Sequence, residues 1–113
     1  MGAIPRLHIC GNTTHLLGEM RHCGAQIYDI DWMVDLRQAV ETLDCGLVCG
    51  NLDPVAVFLY GSEEQVRQGV RKNAAAGGSL WISAGGCEIP DLTPDVNLIA
   101  QNQALLELVR HPE

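Results

Sequence analysis

Leu47-Val48-Cys49-Gly50-Asn51-Leu52-Asp53-Pro54, continued by Ser62-Glu63-Glu64-Gln65 and closed by Leu80-Trp81-Ile82-Ser83-Ala84, is the stretch on which the fold turns. Two short apolar runs bracket one helical segment. The first ends at turn-forming residues, as a buried strand does. Ser62 and Gln65 have the spacing of a capping box, which predicts a helix to about Ala76 that Gly77-Gly78 stops. The second run follows directly, and this order is that of a parallel βα repeat.

The same unit recurs on both sides. Arg6-Leu7-His8-Ile9-Cys10 is an apolar run closed by Gly11-Asn12, after which Thr13 and Thr14 are candidate caps for a helix carrying Leu16, Leu17 and Met20, stopped near Gly24. Gln26-Ile27-Tyr28-Asp29-Ile30-Asp31 precedes a helix capped by Asp35 with Gln38 three residues on, ending at Gly46. After Ala84, a loop from Gly85 to Leu92 leads to Thr93-Pro94, with hydroxyl cap and proline in the first turn, and Leu98, Ile99, Leu105, Leu106 and Val109 form the expected inner stripe. Four βα repeats at roughly 25–30 residues each predict an α/β fold with a parallel sheet. An open four-stranded sheet and half of an eightfold βα barrel both satisfy that order. No linker divides the chain, so residues 1–113 are read as one domain.

The 113 residues are 47 % hydrophobic, with only two Trp, two Tyr and one Phe, which suits helices on a sheet better than a β-sandwich. The net charge of −7, without a Lys/Arg cluster, argues against nucleic acid and anionic membranes as partners. No apolar run approaches the ~20 residues of a membrane span, and the first residues lack a secretory or myristoylation signal, so a cytoplasmic location is expected. Five cysteines without scaffold-like density read as reduced thiols, some of them candidate metal ligands.

In parallel α/β architectures, functional groups gather where strands run into helices. His8 and Cys10 stand two apart on one strand and share a face, with Leu7 and Ile9 on the other. Imidazole and thiol together suit zinc. Cys87 lies in Gly85-Gly86-Cys87, whose glycines allow a sharp inward turn. A buried cysteine is more often a small hydrophobe, and Cys23, Cys45 and Cys49 stay closer to that reading. His15, His22 and His111 are expected to be solvated or capping groups.

Leu7-His8-Ile9-Cys10-Gly11-Asn12, Gly50-Asn51-Leu52-Asp53-Pro54, Gly86-Cys87-Glu88-Ile89-Pro90, Thr93-Pro94 and Asn97-Leu98 together resemble the uroporphyrinogen decarboxylase superfamily. Within it the match is to the zinc-dependent, cobalamin-linked branch (methylcobamide:coenzyme M methyltransferase-like). The resemblance implies zinc ligands at His8, Cys10 and Cys87, an open fourth position for a substrate thiol, and a methylcorrinoid donor carried by a partner protein. It also implies the carboxyl-terminal half of a TIM (β/α)8 barrel. The decarboxylases lack the His-x-Cys pair, which makes uroporphyrinogen decarboxylase-like chemistry a distant alternative.

Asp31 is expected to act at the site by orienting His8 or the substrate. Asp53 and Asn51 are candidate substrate-binding groups, with helix capping and loop fixing as their alternatives, and Asn97 is assigned to loop fixing. In a flat sheet the first and fourth strands lie about 14 Å apart at ~4.8 Å per strand, so the triad requires strong curvature. A half barrel also leaves edges unpaired, which predicts a homodimer or pairing with an amino-terminal half. A non-catalytic zinc-binding half barrel is the other function class.

Overall fold

A computed structural model describes residues 2–110; His111 lies outside them. Four parallel strands, β1 (Arg6–His8), β2 (Ile27–Asp29), β3 (Leu47–Cys49) and β4 (Trp81–Ile82), lie in the order β1-β2-β3-β4. Helices alternate with them: α1 (Leu17–Met20), α2 (Leu36–Thr42), α3 (Glu63–Gly77) and α4 (Asp95–Arg110). Residues Pro54–Leu59 add a wide helical turn before α3. Sequential parallel pairing gives the α/β organisation expected from the repeats.

Register decides which side chains meet. Leu7, Tyr28, Val48 and Trp81 stand level across the sheet. All four pack into the core, with Leu17, Met20, Leu36, Ala39 and Leu43 laid against them. His8, Asp29, Cys49 and Ile82 form the next level and project from the opposite face. On that face Ile82 and Leu47 stay exposed. Phe58, Val66, Val70, Ala100 and Ala104 make a second cluster between α3 and α4, and Trp81 touches both clusters.

Local chemistry accounts for the helices, with three departures. Asp35 caps α2 by accepting from the Gln38 amide, and Ser62 and Gln65 complete the capping box of α3. The first helix, by contrast, is a single turn after a short 3₁₀ segment, and Thr13 makes no capping bond. Asn12 instead accepts from the amide and hydroxyl of Thr14. Leu17 and Met20 are buried there, but Leu16 is exposed.

Gly46 does not terminate α2, which ends at Thr42. Its role is close approach, since a Cβ there would stand 2.7 Å from the Gln26 carbonyl oxygen. Thr93 likewise does not cap α4 through its hydroxyl, which donates to the Pro90 carbonyl at 2.7 Å.

The inner stripe of α4 also differs from expectation. Of the expected residues Leu105 packs on the second cluster, but Leu98, Ile99, Leu106 and Val109 are exposed, and Asn97, Ala100 and Ala104 face the core instead. Small residues at i, i+3 and i+7 let α4 sit close on α3, where leucines would hold it off. Asn97 donates to the Phe58 and Gly61 carbonyls, so this polar residue has its buried amide satisfied.

Phe58 is fully buried at the centre of the second cluster. Phe58→Ala is expected to destabilise the chain by about 3–5 kcal/mol in denaturant titration. Ser62→Ala, which removes only the α3 cap, should cost about 1 kcal/mol.

Candidate metal centre

The centre forms beyond the carboxyl ends of the strands, from three loops. β1 ends at His8, so Cys10 stands past the strand rather than on it. Ile9 still packs into the core with Leu7, which leaves His8 and Cys10 together on the other side. Gly11 donates its amide to an Asp31 oxygen at 3.0 Å, which ties the loop after β1 to the loop after β2.

Cys87 arrives by a different route from the one strand curvature alone supplies. Pairing between β3 and β4 continues past both strands: Leu52 pairs with Gly85, and the Gly86 amide donates to the Leu52 carbonyl at 2.7 Å. Gly86 is buried so tightly on the Trp32 backbone that any Cβ would collide with the Trp32 nitrogen and Cα. The segment after β4 therefore crosses the ends of β3 and β2 to deliver Cys87 to the loop after β1. The Cys10 and Cys87 sulfurs end 3.2 Å apart.

His8 Nε2 stands 3.2 Å from the Cys10 sulfur, while its Nδ1 meets an Asp29 oxygen at 3.0 Å. The carboxylate that orients His8 is thus Asp29, not Asp31. Arg6 holds the other side of Asp29 through Nε at 2.8 Å and Nη2 at 2.7 Å. Burial opposes the charge on Asp29, but the bonds from Arg6 and His8 outweigh it and lower its pKa below the ordinary carboxylate value.

Asp31 takes another place. It is 3 % exposed, accepts from the Gly11 and Met33 amides, and has a carboxylate oxygen within 4.8 Å of both the Cys10 and Cys87 sulfurs. Cys10, Asp31 and Cys87 thus form one group whose atoms can reach a single ion.

Asn51 and Asp53 lie apart from this group. Asn51 donates to the Asp31 and Val34 carbonyls, and Asp53 accepts from the Val55 and Ala56 amides as a helix cap. Both line a separate cavity of about 500 Å³ between α2 and α3. Their polar atoms serve the backbone, as the alternatives of helix capping and loop fixing expected, and both side chains also line that cavity.

Arg6 and Cys49 were not singled out from sequence, although alternation from His8 and Asp29 across the sheet marks both. Arg6 Nη2 is 3.5 Å from the Cys49 sulfur, and burial pushes the Cys49 thiol up to about 11. His15, His22, Cys23 and Cys45 are exposed and elsewhere.

The donor set fits zinc. Two thiols and a carboxylate converge, the imidazole nitrogen stands against the Cys10 sulfur, and the imidazole's other nitrogen is held by a carboxylate, the usual support of a metal-bound histidine. Two sulfurs on a tetrahedral zinc stand about 3.8 Å apart, given Zn–S bonds of ~2.3 Å. At 3.2 Å the Cys10 and Cys87 thiols share a hydrogen bond instead, and only a small separation would admit the ion. That hydrogen bond is the main reason the Cys10 pKa is raised, followed by desolvation and nearby negative charge.

With this geometry in place, the uroporphyrinogen decarboxylase (URO-D) family profile matches residues 2–110. The chain belongs to that family. The methylcobamide:CoM methyltransferase MtbA of Methanosarcina mazei is 40 % identical over 92 residues, covering 81 % of this chain and 26 % of that protein. The uroporphyrinogen decarboxylase of Saccharopolyspora erythraea is 35 % identical over 102 residues, covering 82 % and 28 %. A solved structure, a methyltransferase from Methanosarcina mazei, superposes with a TM-score of 0.85 at 23 % identity, over 96 % of this chain and 32 % of that one. The chain thus spans about a quarter of the length of these curated relatives. No helix among the described residues is long and apolar enough to cross a membrane.

Two measurements probe the centre. Asp29→Asn should weaken zinc binding about 10–100-fold in a competitive chelator titration, because His8 loses its orienting charge. Zinc affinity of the unchanged chain should fall as pH drops. Cys10 holds its proton above the usual thiol range, and each thiol proton displaced by the ion contributes about tenfold per pH unit.

Proposed function

We propose that this chain carries the metal-binding, thiol-activating part of a methyltransferase. In this reading a methyl group moves from a methylcorrinoid on a partner protein to a small thiol such as coenzyme M. The observation that carries it is the Cys10 sulfur in contact with Cys87 on one side and with His8 Nε2 on the other, with Asp29 behind the imidazole. Likeness to MtbA supports the donor and acceptor classes, since that protein is named a methylcobamide:CoM methyltransferase.

His8, Cys10 and Cys87 would hold zinc and leave one position open, the pattern of a catalytic rather than a structural site. Bound there, zinc lowers the pKa of a substrate thiol so that it is a thiolate at neutral pH. Asp29 fixes the His8 tautomer so that Nε2 faces the centre. Asp31, held by two backbone amides, places an acceptor beside the cysteines for the proton of the incoming thiol.

The thiolate lone pair then forms the carbon–sulfur bond. A methylcorrinoid bound by a partner would supply the methyl group to this thiolate and keep the electron pair of the cobalt–carbon bond. Beside His8, Asp29 and Cys87 the walls enclose about 240 Å³.

Decarboxylation of a porphyrinogen is the second reading, favoured by likeness to the Saccharopolyspora erythraea enzyme. It makes no use of the paired cysteines and therefore ranks below. Full activity in either case calls for the rest of a barrel, because the described residues leave the inner sheet face uncovered.

Cobalt(II) in place of zinc makes the centre visible. The loaded chain is expected to show thiolate-to-cobalt charge-transfer bands that disappear in Cys10→Ser and Cys87→Ser. Titration with coenzyme M should strengthen those bands as another sulfur enters. Cobalt bound without thiolate bands would remove the metal centre. Bands indifferent to added thiol would leave a zinc-binding module without the proposed activation.

A further inference from the structure

Cys10 and Cys87 come from the loops after the two edge strands, 77 positions apart in sequence, and their sulfurs stand 3.2 Å from one another. Backbone bonds hold both loops in place for this contact. The Gly11 amide ties the loop after β1 to Asp31, and the Gly86 amide ties the loop after β4 to the Leu52 carbonyl. Cys10 is exposed and Cys87 half-buried, so a reagent reaches Cys10 from solvent with Cys87 directly behind it. Among the described residues this is the one pair of sulfurs in contact. Cys45 instead faces the Tyr28 hydroxyl and the Arg21 carbonyl, and Cys49 is buried beside Arg6.

We propose that Cys10 and Cys87 are a dithiol modification site that small-molecule disulfides close into an intrachain disulfide. The Cys10 thiolate attacks one sulfur of the reagent, forming a mixed disulfide and expelling a thiolate that takes up a proton. The Cys87 thiolate, already beside the Cys10 sulfur, attacks that sulfur and expels the other half of the reagent. The two cysteines are oxidised, the reagent is reduced to two thiols, and both cysteine protons end on those thiols.

The observed separation lies between two end states. A disulfide draws the sulfurs together by about 1 Å, whereas a tetrahedral zinc moves them apart by about 0.6 Å. The two states exclude each other, because a sulfur committed to a disulfide is no longer a thiolate ligand. Oxidation therefore removes two of the three ligands proposed for the centre, and bound zinc shields both thiols from the reagent. The bond also ties the loops after β1 and β4 to each other. It restricts the unfolded chain over most of its length, which raises the stability of the metal-free chain. The inference needs only the sulfur contact, and it stands whether or not the centre serves methyl transfer.

The test treats the full chain, stripped of metal by chelation, with 2-hydroxyethyl disulfide, alkylates the remaining thiols and maps tryptic peptides by mass spectrometry. Cys10 and Cys87 fall in the separate tryptic peptides 7–21 and 73–110, neither of which holds another cysteine. A linked 7–21/73–110 pair is expected as the main product, with a higher melting temperature than the reduced chain. The link should vanish in Cys10→Ser and in Cys87→Ser and persist in the Cys23→Ser/Cys45→Ser double variant. In urea the pairing should spread to the other cysteines, because the folded loops no longer align the sulfurs. Recovery of Cys10 and Cys87 as alkylated thiols or as unlinked mixed disulfides would overturn the proposal, as would the same products in urea. Saturating zinc should suppress the link. A link indifferent to zinc would uphold the disulfide and remove the metal centre, so the two ideas fail separately.

Discussion

The structure hinges on the contact of Gly86 with the backbone of Trp32. β4 is two residues long and stands at the sheet edge, with two strands between it and β1. Only because Gly86 carries no side chain can the following segment lie flat on the loop after β2. The Leu52–Gly85 pairing guides it there. With that crossing, Cys87 meets Cys10 and the loops after β1, β2 and β4 contribute to one centre. A side chain at Gly86 would lift the loop and part the sulfurs.

Beneath the crossing, each side of the sheet has its own chemistry. Leu7, Tyr28, Val48 and Trp81 bury one face under helices, with Trp81 joining the two core clusters. The alternate residues cannot share that environment, because successive strand side chains point oppositely. On their face Arg6, Asp29 and His8 form a chain of charge and hydrogen bonds that ends at the Cys10 sulfur. Packing on one side fixes the register, and register on the other aligns the polar groups. Ionising Asp29 thus has a structural partner in Arg6 and a chemical one in His8.

The centre also depends on residues that touch no ligand. Asn51 donates to two carbonyls of the loop that carries Asp31, and Asn97 holds the ends of the turn before α3 through Phe58 and Gly61. Such side chains satisfy backbone groups that a loop cannot pair internally. They make the loops as definite as the strands, so a small cavity can keep its shape beside the cysteines.

Alternation and capping signals were enough, in the sequence alone, to place four βα repeats, the caps at Asp35 and Ser62, and the shared side of His8 and Cys10. Those features are local, set by periods of two or 3.6 residues and by bonds spanning three. Long-range placement decided the rest. That Asp29 rather than Asp31 holds His8 follows from the register of β1 on β2, which no short pattern encodes. That Asn51 and Asp53 serve the backbone, and that α4 presents alanines inward, depends on which neighbours come close enough to exclude larger groups. The meeting of Cys10 with Cys87 is the clearest case: residue types named the candidates, and the crossing over Trp32 brought the two sulfurs together.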